Sequence, residues 1–204
     1  GIDNNTIIVF SSDNGPESHA YDRVRDTGHR SMGGLRGIKR STFEGGHRVP
    51  FIVRWPGEIK PGISDEVVSQ VDLTATFASI IGHQLSNDVA TDSHDLSKLL
   101  KGQSYSRPLR EATVQNTKED QYALRMGKWL LIDAPTGDVT KGYGKCPEWF
   151  STNYGYQIYP SDNSGLLFDM SIDHEQKNNL YSQYPEVIKE MKTKIKEYRN
   201  SGRS

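Results

Sequence analysis

Apolar residues fall in short runs separated by polar stretches, and the spacing inside each run predicts the element. Thr6-Ile7-Ile8-Val9-Phe10 is continuous and β-branched, and it stops at Ser11-Ser12-Asp13-Asn14-Gly15-Pro16. A run apolar on both faces predicts a strand inside a parallel sheet with helices on either side. Its polar stop then lies at a strand's carboxyl end, where open α/β sheets place their ligands. Val49 to Trp55 predicts a second strand, closed by Pro56-Gly57. Asp72 reads as the cap of a helix whose apolar side is Leu73, Phe77, Ile80 and Ile81, with Gly82 as its stop.

After Pro108 the pattern changes to short strand-like pieces: Ala112 to Gln115, Tyr122 to Ile132 around a Met126-Gly127-Lys128 turn, and Gly165 to Met170. Strands at hairpin spacing predict a small antiparallel sheet. Pro185 to Arg199 places Val187, Ile188, Met191, Ile195 and Tyr198 on one side and Lys and Glu on the other, which predicts an amphipathic helix. The expected organisation is therefore an α/β part over residues 1–108 and an antiparallel sheet with a terminal helix over 109–204. Glu17 to Gly46 has no convincing period, and glycines accumulate there among Arg, His and Lys. A long irregular stretch inside a compact domain is usually functional.

Charge excludes some functions. With 25 Lys+Arg against 26 Asp+Glu in 204 residues, no whole-chain field draws the protein to nucleic acid or to an anionic membrane, so any anion binding is local. No apolar run approaches the roughly 18 to 20 residues that span a bilayer. Cys146 is the only cysteine, which excludes an internal disulfide and a cysteine metal cluster.

The candidate chemistry lies in the first 50 residues. Asp13 and Asn14 set a carboxylate beside an amide carbonyl at a strand end, and both are hard oxygen donors suited to Ca²⁺ or Mg²⁺. Two donors fall well short of the ~6 to 8 oxygens that Ca²⁺ takes, so other acids are needed. Read alone, Asp-Asn-Gly is also an ordinary turn signal. Lys39 sits between glycines and offers a compact point charge for a sulfate or phosphate oxygen. Read alone, Arg36, Lys39, Arg40 and Arg48 also fit a solvated basic loop paired with Glu44. His19, His29 and His47 fall in the same stretch, where imidazole can donate to a leaving oxygen or touch a sugar.

Two motifs in order, the strand into Ser12-Asp13-Asn14-Gly15-Pro16 and Gly37-x-Lys39-x-x-x-x-Glu44-Gly45-Gly46-x-Arg48-Val49-Pro50, resemble the type I, formylglycine-dependent sulfatases of the alkaline phosphatase superfamily. Trp55-Pro56-Gly57, Val71-Asp72-Leu73, Leu124 to Trp129, Leu167-Phe168-Asp169-Met170 and Asn179-Leu180 extend the resemblance over most of the chain. It implies the C-terminal part of an alkaline-phosphatase-like mixed sheet with helices, followed by the antiparallel subdomain. It also implies a sulfuric ester hydrolase acting on a sulfated carbohydrate or aryl sulfate. Asp13 and Asn14 would help hold the cation, usually Ca²⁺ with Mg²⁺ as the alternative. Lys39 would grip the sulfate ester, and His19 and His29 would contact substrate. Glu44, Gly45, Gly46 and Arg48 would frame the lysine loop.

The formylglycine arises from a Cys/Ser-x-Pro/Ala-x-Arg motif, which Cys146-Pro147-Glu148 does not match. The nucleophile is therefore expected upstream, in a missing N-terminal part of the same protein, and these 204 residues alone are expected to be inactive. Resemblance also implies a periplasmic or extracellular location and excludes nucleic-acid and membrane partners. Two rivals stand beside this reading. One is a phosphodiester or phosphonate hydrolase of the same superfamily. The other is a noncatalytic carbohydrate-binding fragment using the aromatic segment from Trp149 to Tyr159.

Overall fold

The computed structural model describes residues 1–117, 120–140, 142 and 144–203. The architecture is α/β, as expected. Its contacts group into two compact units that do not follow the linear division at residue 108: one contains Gly1–Ser11 and Pro50–Thr113, the other Ser12–Val49 and Val114–Asn200. The irregular, glycine-rich stretch therefore belongs with the C-terminal sheet, although some 65 residues of sequence separate them.

In the first unit, strand β1 (Ile8–Ser11) pairs antiparallel with a later strand, Phe51–Arg54. This corrects the parallel setting expected from the apolar run. Only alternate side chains of β1 are even partly covered, and Ile8 and Phe10 stay 49% and 61% exposed. A continuous apolar run fixes a strand but not which neighbour covers its second face.

In the second unit, helix α1 (His19–Thr27) occupies a segment expected to be irregular. Its apolar side is only Ala20, Tyr21 and Val24, so polar residues masked the period. Gly28, at φ 75°, accepts the left-handed turn that ends it, and its N–H caps Val24 O.

The strand Phe51–Arg54 is β2, and helix α2 (Asp72–Ile80) follows it in the first unit. Gly82 at φ 70° stops the helix as expected. Two expectations fail here. Val71 occupies the cap position, and the helix buries Asp72, Thr76 and Ala78 while Phe77 and Ile81 are 41% and 77% exposed. The reason is a buried polar seam. Asp72 accepts N–H bonds from Ser69 and His94, each at 2.8 Å, and pairs with buried Arg110; Thr76 Oγ1 accepts from Leu96 N–H. A short helix, α3 (Ser97–Leu100), follows.

Strands β3 (Ala112–Asn116), β4 (Tyr122–Met126), β5 (Trp129–Ile132) and, after helix α4 (Glu148–Tyr154), β6 (Leu166–Asp169) form a four-stranded sheet in sequence order. β5 pairs antiparallel with both neighbours, with Leu131 opposite Leu124 on one side and Leu167 on the other. Side chains alternate across the sheet. Ala123, Leu130, Ile132, Leu166 and Phe168 form one face and pack with Phe43 from the glycine-rich stretch. The terminal helix α5 (Pro185–Ser201) buries Ile188, Met191 and Ile195 and joins β4 and β5 through Lys192–Asp133 at 2.7 Å and Arg199 over the Tyr122 ring.

Candidate functional site

The chain enters the second unit at Ser12, directly after β1, so the strand's carboxyl end leads into the Asp13-Asn14-Gly15 turn. Ser12 Oγ closes the turn onto Asn14 O at 3.0 Å, and Asn14 Nδ2 donates to Gly15 O at 2.8 Å. That bond uses the nitrogen of the amide, so Oδ1 is the donor Asn14 has for a cation, beside the exposed Asp13 carboxylate.

Lys39 rides on a loop fixed by burial on both sides of it. Phe43 is fully buried against the sheet, which is worth about 1.5 to 3 kcal/mol. Arg36 lies over the Phe43 ring at 4.0 Å, donates to the main-chain oxygens of Gln157 and Gln176, and faces Asp138 at 3.6 Å. At 3% exposure Arg36 is a core strut, not part of a solvated basic loop. Ser41 Oγ and Thr42 N both donate to Gly137 O.

Turn and loop are stitched together. Gly15 N donates to Gly46 O and Lys39 N donates to Pro16 O, each at 2.9 Å. A Cβ on Gly15 would stand 1.8 Å from Gly45 O, and one on Gly45 would stand 2.3 Å from Gly37 O. Backbone meets backbone here at a separation only glycine allows.

Glu17 joins them electrostatically. Its two carboxylate oxygens face Arg40 Nη1 at 2.6 Å and Lys39 Nζ at 3.6 Å. The Arg40 hydrogen bond, seconded by Ser18 N–H, holds the Glu17 carboxyl down to about 2 from its ordinary 4.5. A depressed carboxylate stabilises the fold above its unfolded value and loses that contribution as pH falls through the folded one. The melting difference between wild type and Glu17→Gln is therefore expected to be constant above about pH 5 and to vanish toward pH 2, as read by thermal melts across that range. Arg40 itself has φ 76°, a left-handed conformation that costs a non-glycine residue about 1 to 3 kcal/mol.

Glu44 is 6% exposed, between His47 Nε2 at 3.6 Å and Arg48 Nη1 at 3.4 Å. Burial pushes its carboxyl up, but the nearby His47, Arg125 and Arg48 outweigh that and leave it below the usual value. Glu44, Gly45 and Gly46 are thus buried parts of the loop's frame.

The histidines divide. His19 opens α1, two residues after Glu17, whereas His29 follows its far end, about 14 Å along the axis. Both are exposed. Cys146 is half-buried: burial pushes its thiol up, and Sγ lies 3.4 Å from Ser151 Oγ. Within the aromatic segment Phe150 and Tyr156 are 1% and 5% exposed; Phe150 stacks on Tyr156 and meets Tyr21 and Trp149 edge-on and Tyr154 at a tilt, whereas Trp149, Tyr154 and Tyr159 stay half-buried.

Sequence reading missed Glu17 and Arg40 as partners of Lys39, and the only signal for them was adjacency to Pro16 and Lys39. Among the described residues no three His, Cys, Asp or Glu side chains are placed to hold a metal, and no helix is long and apolar enough to cross a membrane. The pair Asp13 and Asn14 fits a hard divalent cation as part of a larger oxygen shell.

Backbone bonds therefore join the turn that carries Asp13 and Asn14 to the loop that carries Lys39, on an α/β scaffold. The sulfatase family model matches residues 1–83. An N-acetylgalactosamine-6-O-sulfatase of Bacteroides thetaiotaomicron is 35% identical over 93% of the chain, and arylsulfatase A of Bos taurus is 33% identical over 97% of it. Those alignments cover 35% and 38% of the relatives, so the chain spans little more than a third of their length. A solved structure designated 6S-sulf, from work on glycosaminoglycan metabolism by Bacteroides thetaiotaomicron, superposes with a TM-score of 0.80 at 33% identity, covering 98% of this chain and 40% of that one. The chain belongs to the sulfatase family.

Proposed function

We propose that these residues are the C-terminal part of a sulfuric ester hydrolase that removes sulfate from a sulfated carbohydrate. The observation that carries the reading is the double backbone link between the segment that carries Asp13 and Asn14 and the loop that carries Lys39. The similarity to an N-acetylgalactosamine-6-O-sulfatase favours a 6-sulfated hexosamine as substrate.

In this reading Asp13 Oδ and Asn14 Oδ1 supply two ligands to Ca²⁺, or to Mg²⁺, and upstream acids complete the shell. A cation held there would draw charge from the sulfate oxygens. The formylglycine, also upstream, supplies the nucleophile. Lys39 binds a sulfate oxygen through its ammonium and stabilises the negative charge that grows on the ester oxygens as the S–O bond breaks. His19 and His29 are the histidines that would contact the sugar, His19 from the start of α1 and His29 from the turn after its end. The first 108 residues continue the catalytic domain, the protein acts outside the cytoplasm, and the 204 residues alone turn over no substrate.

In the complete protein, Lys39→Ala is expected to lower kcat/KM on 6-sulfated N-acetylgalactosamine by about 100-fold. Steady-state assays against that sulfate and an aryl phosphate check it. An unchanged sulfate rate would remove Lys39 from the site, and a phosphate rate exceeding the sulfate rate in the wild type would replace the sulfatase reading with the phosphohydrolase. Chelation of divalent ions is expected to abolish turnover and added Ca²⁺ to restore it, as read in the same assay.

A further inference from the structure

Lys39 and Arg40 are neighbours in sequence, and side chains of consecutive residues in ordinary backbone point to different sides. Here both reach one carboxylate. The left-handed turn at Arg40, φ 76°, accompanies this arrangement. Arg40 Nη1 donates to Glu17 Oε1 at 2.6 Å, and Lys39 Nζ lies 3.6 Å from Oε2. The main chain repeats the link, with Lys39 N donating to Pro16 O at 2.9 Å. Both ends of Lys39 are thus tied to the dipeptide that follows the Asp13-Asn14-Gly15 turn.

We propose that Glu17 is a positioning residue for Lys39, anchored by Arg40, and that it holds the ammonium ready for the sulfate ester. The inference rests on Lys39 binding sulfate. An ammonium has three N–H donors, so one can stay on Glu17 while two face the ester. Arg40, planar and paired through a short contact, fixes the carboxylate so that the weaker Lys39 contact has a stationary partner. Side-chain exposures of 34% for Lys39 and 35% for Glu17 leave the ammonium reachable by ligand while it is held. A carboxylate between two adjacent cations also screens their mutual repulsion while no sulfate is present.

The test is a double-mutant cycle in the complete protein with 4-nitrophenyl sulfate, using Glu17→Gln, Lys39→Ala and the pair. Glutamine keeps the shape and an acceptor for Arg40 but removes the charge that holds Lys39. Glu17→Gln alone is expected to lower kcat/KM about tenfold. On the Lys39→Ala background it is expected to change nothing further, because its target is gone. A tenfold loss in both backgrounds makes Glu17 a structural residue and overturns the inference while the sulfate reading survives. An unchanged Glu17→Gln rate overturns it too. A harmless Lys39→Ala removes Lys39 from the site, and this inference with it. Should Glu17→Gln not fold, Arg40→Gly takes its place: glycine accepts φ 76° and deletes only the anchor, and the same non-additivity with Lys39→Ala is expected.

Discussion

Gly15→Ala is expected to destabilise the second unit by at least about 3 kcal/mol and to abolish turnover of the complete enzyme. The added methyl would sit 1.8 Å from Gly45 O and 2.8 Å from Gly45 C, inside any tolerable contact, and both atoms are backbone. No rotamer change relieves it, so the turn and the loop must part. Parting them breaks the Gly15 N to Gly46 O bond and moves Asp13 and Asn14 relative to Lys39. Chemical denaturation of the chain measures the first effect, and assay of the complete protein measures the second. Gly34→Ala is the control, because its nearest neighbour would be a flexible carboxylate oxygen at 3.7 Å, and it is expected to behave as wild type.

Asp72→Ala is expected to cost the first unit about 3 to 5 kcal/mol. The carboxylate is fully buried and Arg110 is 2% exposed, so alanine strands a guanidinium where water cannot reach it. It also orphans the N–H groups of Ser69 and His94. The result should appear as a lowered unfolding transition and as faster hydrogen exchange of α2 amides. Cutting the Asp3–Arg54 pair, whose side chains are more than half exposed, is expected to leave both readings unchanged.

These two sites show what the chain discloses before it folds. The C-terminal strands were legible because β4 and β5 pair locally across the Gly127 turn and β6, although it follows α4, is a short apolar run buried at every position. Helix α5 was legible for the same reason, through its repeated apolar stripe. Asp13, Asn14 and Lys39 could be named from their motifs, and the backbone segments that carry them meet at Gly15 and Gly45, glycines that the motifs contained. What was not legible depends on distant residues. Asp72 looks like a helix cap until Arg110, 38 positions on, claims its carboxylate. Arg36 looks like a surface cation until Gln157, Gln176 and Asp138 surround it. The parallel setting expected for β1 presumed its neighbours, and an apolar run does not record its neighbours.

The bond from Arg36 to Gln176 O spans 140 residues, and Glu44 N–H reaches Gln176 Oε1 over 132. A ribosome adding about 5 to 20 residues each second needs roughly 7 to 28 s to make that interval. During that wait the lysine loop has no platform to settle on, and Phe43 stands open to chaperones and to other nascent chains. Yield in a foreign host should therefore respond to translation speed and chaperone supply more than to any change at the ligand-binding surface.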